Sequence, residues 1–474
     1  MNQGFRITAL LLAAMTTAAA PAWGQGPRPS KPSRTTSPAT PSAPAAPAQP
    51  VVTEEPKVGP YLKREGVKDW NLTYVVTLHS DRASDSVEHK DPNSGKSARM
   101  PKVTPFEFET AGVVFPYIPS TASSDAEEFK AGQTGPNATG FRGTLRVNDQ
   151  IVDRDPAMLM GYPGGTALGR WDAGERGKTL SAREVQLEVM VPVSAYKVTY
   201  DETAALKLPW PQSWPKVAQE ALLPQLFVEQ GVDANGAVAA YDVGPLDKAL
   251  ELWREEWKLK DLKGVNPAAL AKMMTSKVWE IVQPDGDGLT FRPNTGELAG
   301  IALRAPASTL VDAKGSEHDV VVLLVALMRK AGIPTRLVIG YDAGDSSGRW
   351  LDRSGKSSKL RTWAEFCLFD EKANTINWVP IDIIKLRKSS NRPAAMTKQW
   401  KYFGTNDQLD HILPFSFHFH PPTDVVSYGS PGFWGWFVSP SAPKHAEQAI
   451  RVSAAAQSKR GGDDADKKKK PKRN

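Results

Sequence analysis

Few residues in this chain could do chemistry, and they are unevenly placed. One cysteine, Cys367, occurs among 474 residues, so any thiol chemistry rests on one atom and no intrachain disulfide can form. His418 and His420, in Phe417-His418-Phe419-His420, fall on one face of a strand-like alternation and with His318 or His411 could hold a metal. Two histidines at that spacing lack the remaining ligands, so neither a metal nor a cofactor is expected. The third group is Gly315-Ser316-Glu317-His318-Asp319, an acid-bearing segment in front of a long apolar run. Ser316 suits a helix N-cap, and Asp319 three residues on completes a capping box. Glu317 then stands in the first turn, where the helix dipole favours an anion.

The element that positions Glu317 is a helix predicted over residues 316–331, closed by Gly332 and Pro334. Residues 335–341, 361–369 and 376–383 read as strands, with a Gly/Asp/Ser-rich loop over 342–358. One helix packed on a few antiparallel strands is an α+β core. Upstream, 245–259 and 266–282 carry apolar residues at helical spacing, among them Leu250, Trp253, Trp257, Leu270, Met274 and Val278. Between residues 61 and 200 the period is two, at 72–78, 106–115, 141–152 and 185–191, which reads as an antiparallel β-sandwich-like domain. Trp210 and Trp214, set among prolines, mark the boundary between the two parts. Aromatic segments at 400–404, 415–419 and 433–438 are expected to add strands that close the second domain.

In order along the chain stand Gly315-Ser316-Glu317, then Arg329-Lys330-Ala331-Gly332-Ile333-Pro334-Thr335-Arg336, then Trp363-Ala364-Glu365, then Trp378-Val379-Pro380-Ile381-Asp382. This order resembles the transglutaminase-like superfamily over roughly residues 222–386, and the Arg-x-x-Gly-Ile-Pro-x-Arg helix end is its most specific piece. The resemblance implies a papain-like α+β core. It also implies acyl transfer or amide hydrolysis by a cysteine at a helix N-terminus, a histidine, and an aspartate that orients it. The family's cysteine lies fifteen positions before the glycine of Gly-Ile-Pro, which here is Glu317. Its histidine lies two before the tryptophan of Trp-x-Glu, which here is Arg361. The aspartate position is kept as Asp382. Ser316, Asp319, Trp363, Glu365 and Trp378 are the supporting residues.

Arginine stays protonated and cannot shuttle a proton, so two of the three positions are chemically disabled. A thiolate and imidazolium have been replaced by a carboxylate and guanidinium, and a salt-bridge cluster of Glu317, Arg361 and Asp382 is expected. The alternative is that Glu317 is only a favourable first-turn acid and Arg361 an exposed strand residue. Cys367 lies six residues past Arg361, about 20 Å along an extended strand, and is expected to be buried and inert.

Residues 1–24 read as an export signal, with an apolar run too short to span a bilayer. Residues 25–60 form a Pro/Ser/Thr-rich disordered linker, 61–207 the β-rich domain, 208–440 the transglutaminase-like domain and 441–474 a disordered basic tail. The net charge of +7 is concentrated in that tail, where residues 459–474 hold eight Lys/Arg against three Asp. A nucleic-acid partner is therefore not expected, while contact of the tail with an anionic surface remains open. The sequence points to an exported, periplasmic or extracellular protein, catalytically inactive, that binds a protein, peptide or glycan of the cell envelope. The alternative is a hydrolase that uses Glu317 or Asp382 as general base.

Overall fold

The computed structural model describes residues 56–80, 82–90, 97–128, 140–162, 166–224, 228–232, 238–240, 243–292, 296–344, 348, 350–351, 359–417, 435–440 and 446–457. The export signal, most of the linker, His418, His420 and the lysine-rich end lie outside them. Among the described residues, no helix is long and apolar enough to cross a membrane.

Alternation over long stretches builds the first half. In chain order its strands are β1 (Lys57–Val58), β2 (Leu62–Ser80), β3 (Thr110–Tyr117), β4 (Ser124–Ala126), β5 (Arg142–Val147), β6 (Gln150–Asp153), β7 (Ala157–Tyr162), β8 (Thr166–Gly174) and β9 (Glu184–Tyr200). Helices α1 (Gly244–Glu256) and α2 (Pro267–Ile281) follow, then β10 (Leu289–Phe291) and β11 (Leu298–Ile301). The core continues with α3 (Glu317–Lys330), β12 (Thr335–Asp342), β13 (Lys359–Asp370), β14 (Thr375–Ile381) and α4 (Ile383–Ser389). Last come β15 (Ile412–Ser416), β16 (Gly435–Ser439) and β17 (Ala446–Ala456).

These strands form three principal sheets. An eight-stranded sheet runs β10-β11-β17-β2-β9-β5-β6, with β4 added against β9. A four-stranded sheet runs β7-β8-β3-β16, and a five-stranded sheet runs β1-β14-β13-β12-β15. The first two meet face to face: Tyr74 of β2 stacks on Phe115 of β3 with ring centroids 3.8 Å apart. Trp171 and Trp436 are buried in the same core.

Helix α3 forms where the capping pattern places it. Ser316 Oγ accepts from Asp319 N at 3.1 Å, and Asp319 Oδ2 accepts from Ser316 N at 2.9 Å. Its far end turns at Gly332, whose φ of 86° only glycine adopts without strain. There Gly332 N donates to Arg329 O and Ile333 N to Met328 O, a Schellman closure. Every residue from His318 to Arg329 is buried. A helix apolar on all sides is a core helix, and truncating one of its leucines costs about 2–5 kcal/mol.

Three expectations about organisation need correction. Residues 446–456 belong to no disordered tail: β17 is the central neighbour of β2, paired from Trp70↔Ala456 to Ser80↔Ala446, and Ala449, Ile450, Val452 and Ala454 are buried. The charge run further on hid an ordinary apolar alternation. The linker ends earlier than residue 60, since Lys57 and Val58 pair in parallel with Thr375 and Ile376. Finally, residue 208 does not divide the fold. β10, β11 and β17 complete the sheet begun by β2, and β16 pairs with β3 instead of closing the core.

Candidate functional site

The three positions singled out by the sequence stand at the head of α3, on β13 and at the end of β14. Glu317 is the first residue of α3, and its carboxylate receives the ammonium of Lys388 from α4. Both side chains are partly open to solvent, 25% for Glu317 and 47% for Lys388. Three backbone N–H groups at this helix head are already bonded. Ser316 N and Asp319 N serve the capping box, and Glu317 N donates to Gly286 O at 3.0 Å. The dipole of α3 therefore meets an acid that a lysine already neutralises.

Arg361 lies opposite Gly340 in the β12/β13 ladder. A Cβ at position 340 would come within 2.8 Å of Leu413 O and 3.0 Å of the Trp363 ring, so the close approach of the strands depends on glycine. Two residues beyond Gly340, on the same face, Asp342 Oδ2 accepts from Arg361 Nε at 3.0 Å. The other parity of β13 faces the helix: Thr362 Oγ1 and His318 Nδ1 share a 2.5 Å hydrogen bond.

The expected cluster is thus rearranged. Glu317 is paired with Lys388 and Arg361 with Asp342. Asp382 caps α4, with Oδ1 accepting from Lys385 N at 2.9 Å. The three expected partners still act on one another through space. Burial opposes the Arg361 cation, but Asp382, Asp342 and Glu317 outweigh it and raise its pKa. Burial raises the Asp382 carboxyl above the ordinary range, against the pull of Arg361. Burial also lowers the pKa of His318 and of Lys385.

Sequence reasoning missed Asp342, Lys388 and the His318–Thr362 contact. Asp342 directly follows Gly340-Tyr341, but its link to Arg361 is a diagonal across two strands that only their register reveals. Lys388 lies six residues after Asp382, a helical spacing that matters only once α4 is known to pass over the head of α3. From Asp342 the charges continue outward. His411 Nε2 lies 3.7 Å from Asp342 Oδ1, and His411 Nδ1 lies 2.9 Å from Asp410 Oδ1. Lys68 of β2 ends the series, 2.8 Å from Asp410.

The supporting residues build a second, drier cluster. Glu365 is fully buried and takes Arg336 Nε at 2.8 Å and Nη2 at 2.6 Å on one oxygen. Its other oxygen takes Trp363 Nε1 at 3.3 Å and the backbone of Ala122 at 3.2 Å. The Arg336 guanidinium lies 4.3 Å from the Trp378 ring centroid and 4.2 Å from that of Phe417. Glu365 thereby ties the five-stranded sheet to the loop before β4. Cys367 is buried against Ala218 and Phe369, and burial pushes its thiol pKa well up. The His418 and His420 expectation lies outside the described residues, among which no group of three or more His, Cys, Asp or Glu is arranged to hold a metal.

Comparison with known proteins agrees with this core. Residues 291–383 match the family model of the transglutaminase-like superfamily. Among solved structures, the chain is similar to a Cytophaga hutchinsonii protein put forward as a cysteine protease. The two are 11% identical, with 84% of this chain and 93% of that one covered and a TM-score of 0.42. It is also similar to a Parabacteroides distasonis protein put forward as a protease, at 8% identity, covering 67% of this chain and 59% of that one, with a TM-score of 0.18. No curated protein sequence matches.

Proposed function

From the premise that this chain carries a transglutaminase-like domain, we propose that the domain is a non-catalytic binding module of an exported cell-envelope protein. Its partner would be a protein, peptide or glycan held in the cleft at the head of α3. The observation that carries this reading is the state of position 317, where the family's chemistry calls for a thiolate. A carboxylate stands there, already engaged by Lys388. The single sulfhydryl of the chain is buried on β13 with its thiolate form disfavoured. At the histidine position, Arg361 is held by Asp342 and stays protonated.

One observation favours a second reading, hydrolysis with Asp382 as general base. Burial raises the pKa of its carboxyl, the direction a base working near neutrality requires. Purified mature protein assayed for amine incorporation into glutamine peptides and for amide hydrolysis separates the two readings. The binding reading expects no turnover from the native chain. Turnover that disappears in Asp382→Asn or Glu317→Gln would establish the hydrolase. Capture from envelope extracts, followed by identification of the bound partner, tests the location and the partner class together.

A further inference from the structure

We propose that the cleft beside α3 receives a peptide carboxylate on the Nη1 side of the Arg361 guanidinium, an inference that rests on the reading of this cleft as a binding site. Arg361 is 5% exposed, yet its Nη1 is buried and has no hydrogen-bond acceptor among the described residues. Leaving a buried donor unbonded costs about 1–3 kcal/mol, more when the group is charged, and native folds rarely keep one without a use. Two other buried arginines of the domain show the ordinary outcome. Arg329 bonds Thr335 O through Nε and Glu229 through Nη1, while Arg336 bonds Glu365 through Nε and Nη2.

The acids around Arg361 are committed elsewhere. Asp342 meets Nε with one oxygen and takes Gly344 N on the other at 3.0 Å. Glu317 holds Lys388, and Asp382 holds the backbone of Lys385. With Nε occupied, the guanidinium still offers N–H groups in one plane, a geometry that matches a carboxylate through two parallel bonds. The half-exposed Lys388 adds a cation that can move at the rim, and Lys385 adds another from α4. A neutral amide could satisfy Nη1 but not the charge.

The ligand's carboxylate can come from a chain terminus or from a glutamate side chain, and three N-acetylated tripeptides distinguish them. They are Ala-Ala-Ala with a free carboxylate, Ala-Glu-Ala amide and Ala-Gln-Ala amide, each titrated calorimetrically into the full chain. One or both carboxylate peptides should bind at least about tenfold more tightly than the glutamine amide, and the arm that binds identifies the source. Arg361→Gln should abolish the preference. Lys388→Glu, a rim change outside the packed strands, should weaken carboxylate binding several-fold while leaving thermal unfolding unchanged. Equal binding of the three peptides by the native chain, no binding of any, or a preference that persists in both variants overturns the proposal and leaves a trapped water as the partner of Nη1. Catalytic turnover with the preference intact would overturn only the non-catalytic reading.

Discussion

Asp342 and Arg361 stand diagonally across β12 and β13, and each depends on the other being charged. Asp342→Ala leaves a guanidinium buried without its counterion, and urea unfolding should show a loss of about 3–5 kcal/mol. Glu317→Gln breaks a pair that is largely in water and should change stability by less than about 1 kcal/mol. Cys367 should stay unmodified by thiol reagents until the chain unfolds, because burial disfavours its thiolate. His318 sets a pH dependence. Its folded pKa is lowered from 6.5, so the unfolded chain binds the proton more readily. The stability His318 supplies is complete above pH 6.5 and declines as pH falls from there toward the folded pKa. Asp382, raised above 3.8, contributes with the opposite sign at lower pH. Melting temperatures of native protein and His318→Asn, compared between pH 7 and 5, isolate the histidine: the native slope should be the steeper. At this scale the sequence revealed positions but not partners. The Ser316–Asp319 capping box was readable because it is local, whereas the partner of Arg361 was not, since strand faces alternate and one residue of register decides who meets whom.

Helix α3 and its closing turn were legible because cap, apolar run and Gly332 follow one another along the chain. Strand β17 was not, because its alternation is short and Ala-rich and stands beside a run of lysines that draws attention to solvent. Its place in the middle of a sheet makes it indispensable. Deleting residues 446–474 should abolish cooperative unfolding, whereas deleting only 458–474 should leave the melting temperature within about 1–2 °C. Circular dichroism on the two truncations checks this. The Arg336–Glu365–Trp363 cluster was read from the sequence as supporting residues, and its reach to Ala122 is what the sequence could not supply. Glu365→Ala should destabilise by several kcal/mol, since it strands the buried Arg336 between two rings.

At the scale of the whole molecule, the α+β class and the β-rich first half followed from periodicity and from the resemblance. The division into successive domains did not, because the return of residues 289–301 and 446–456 to the first sheet is a long-range pairing that no local pattern announces. A chain emerging from the ribosome presents β2 some 370 residues before the strand that must lie against it arrives. For most of its synthesis one edge of the largest sheet stays open, so translation has to finish before that half can settle. A protein arranged in this way reaches an export channel still loosely structured, and holding it soluble until then falls to chaperones.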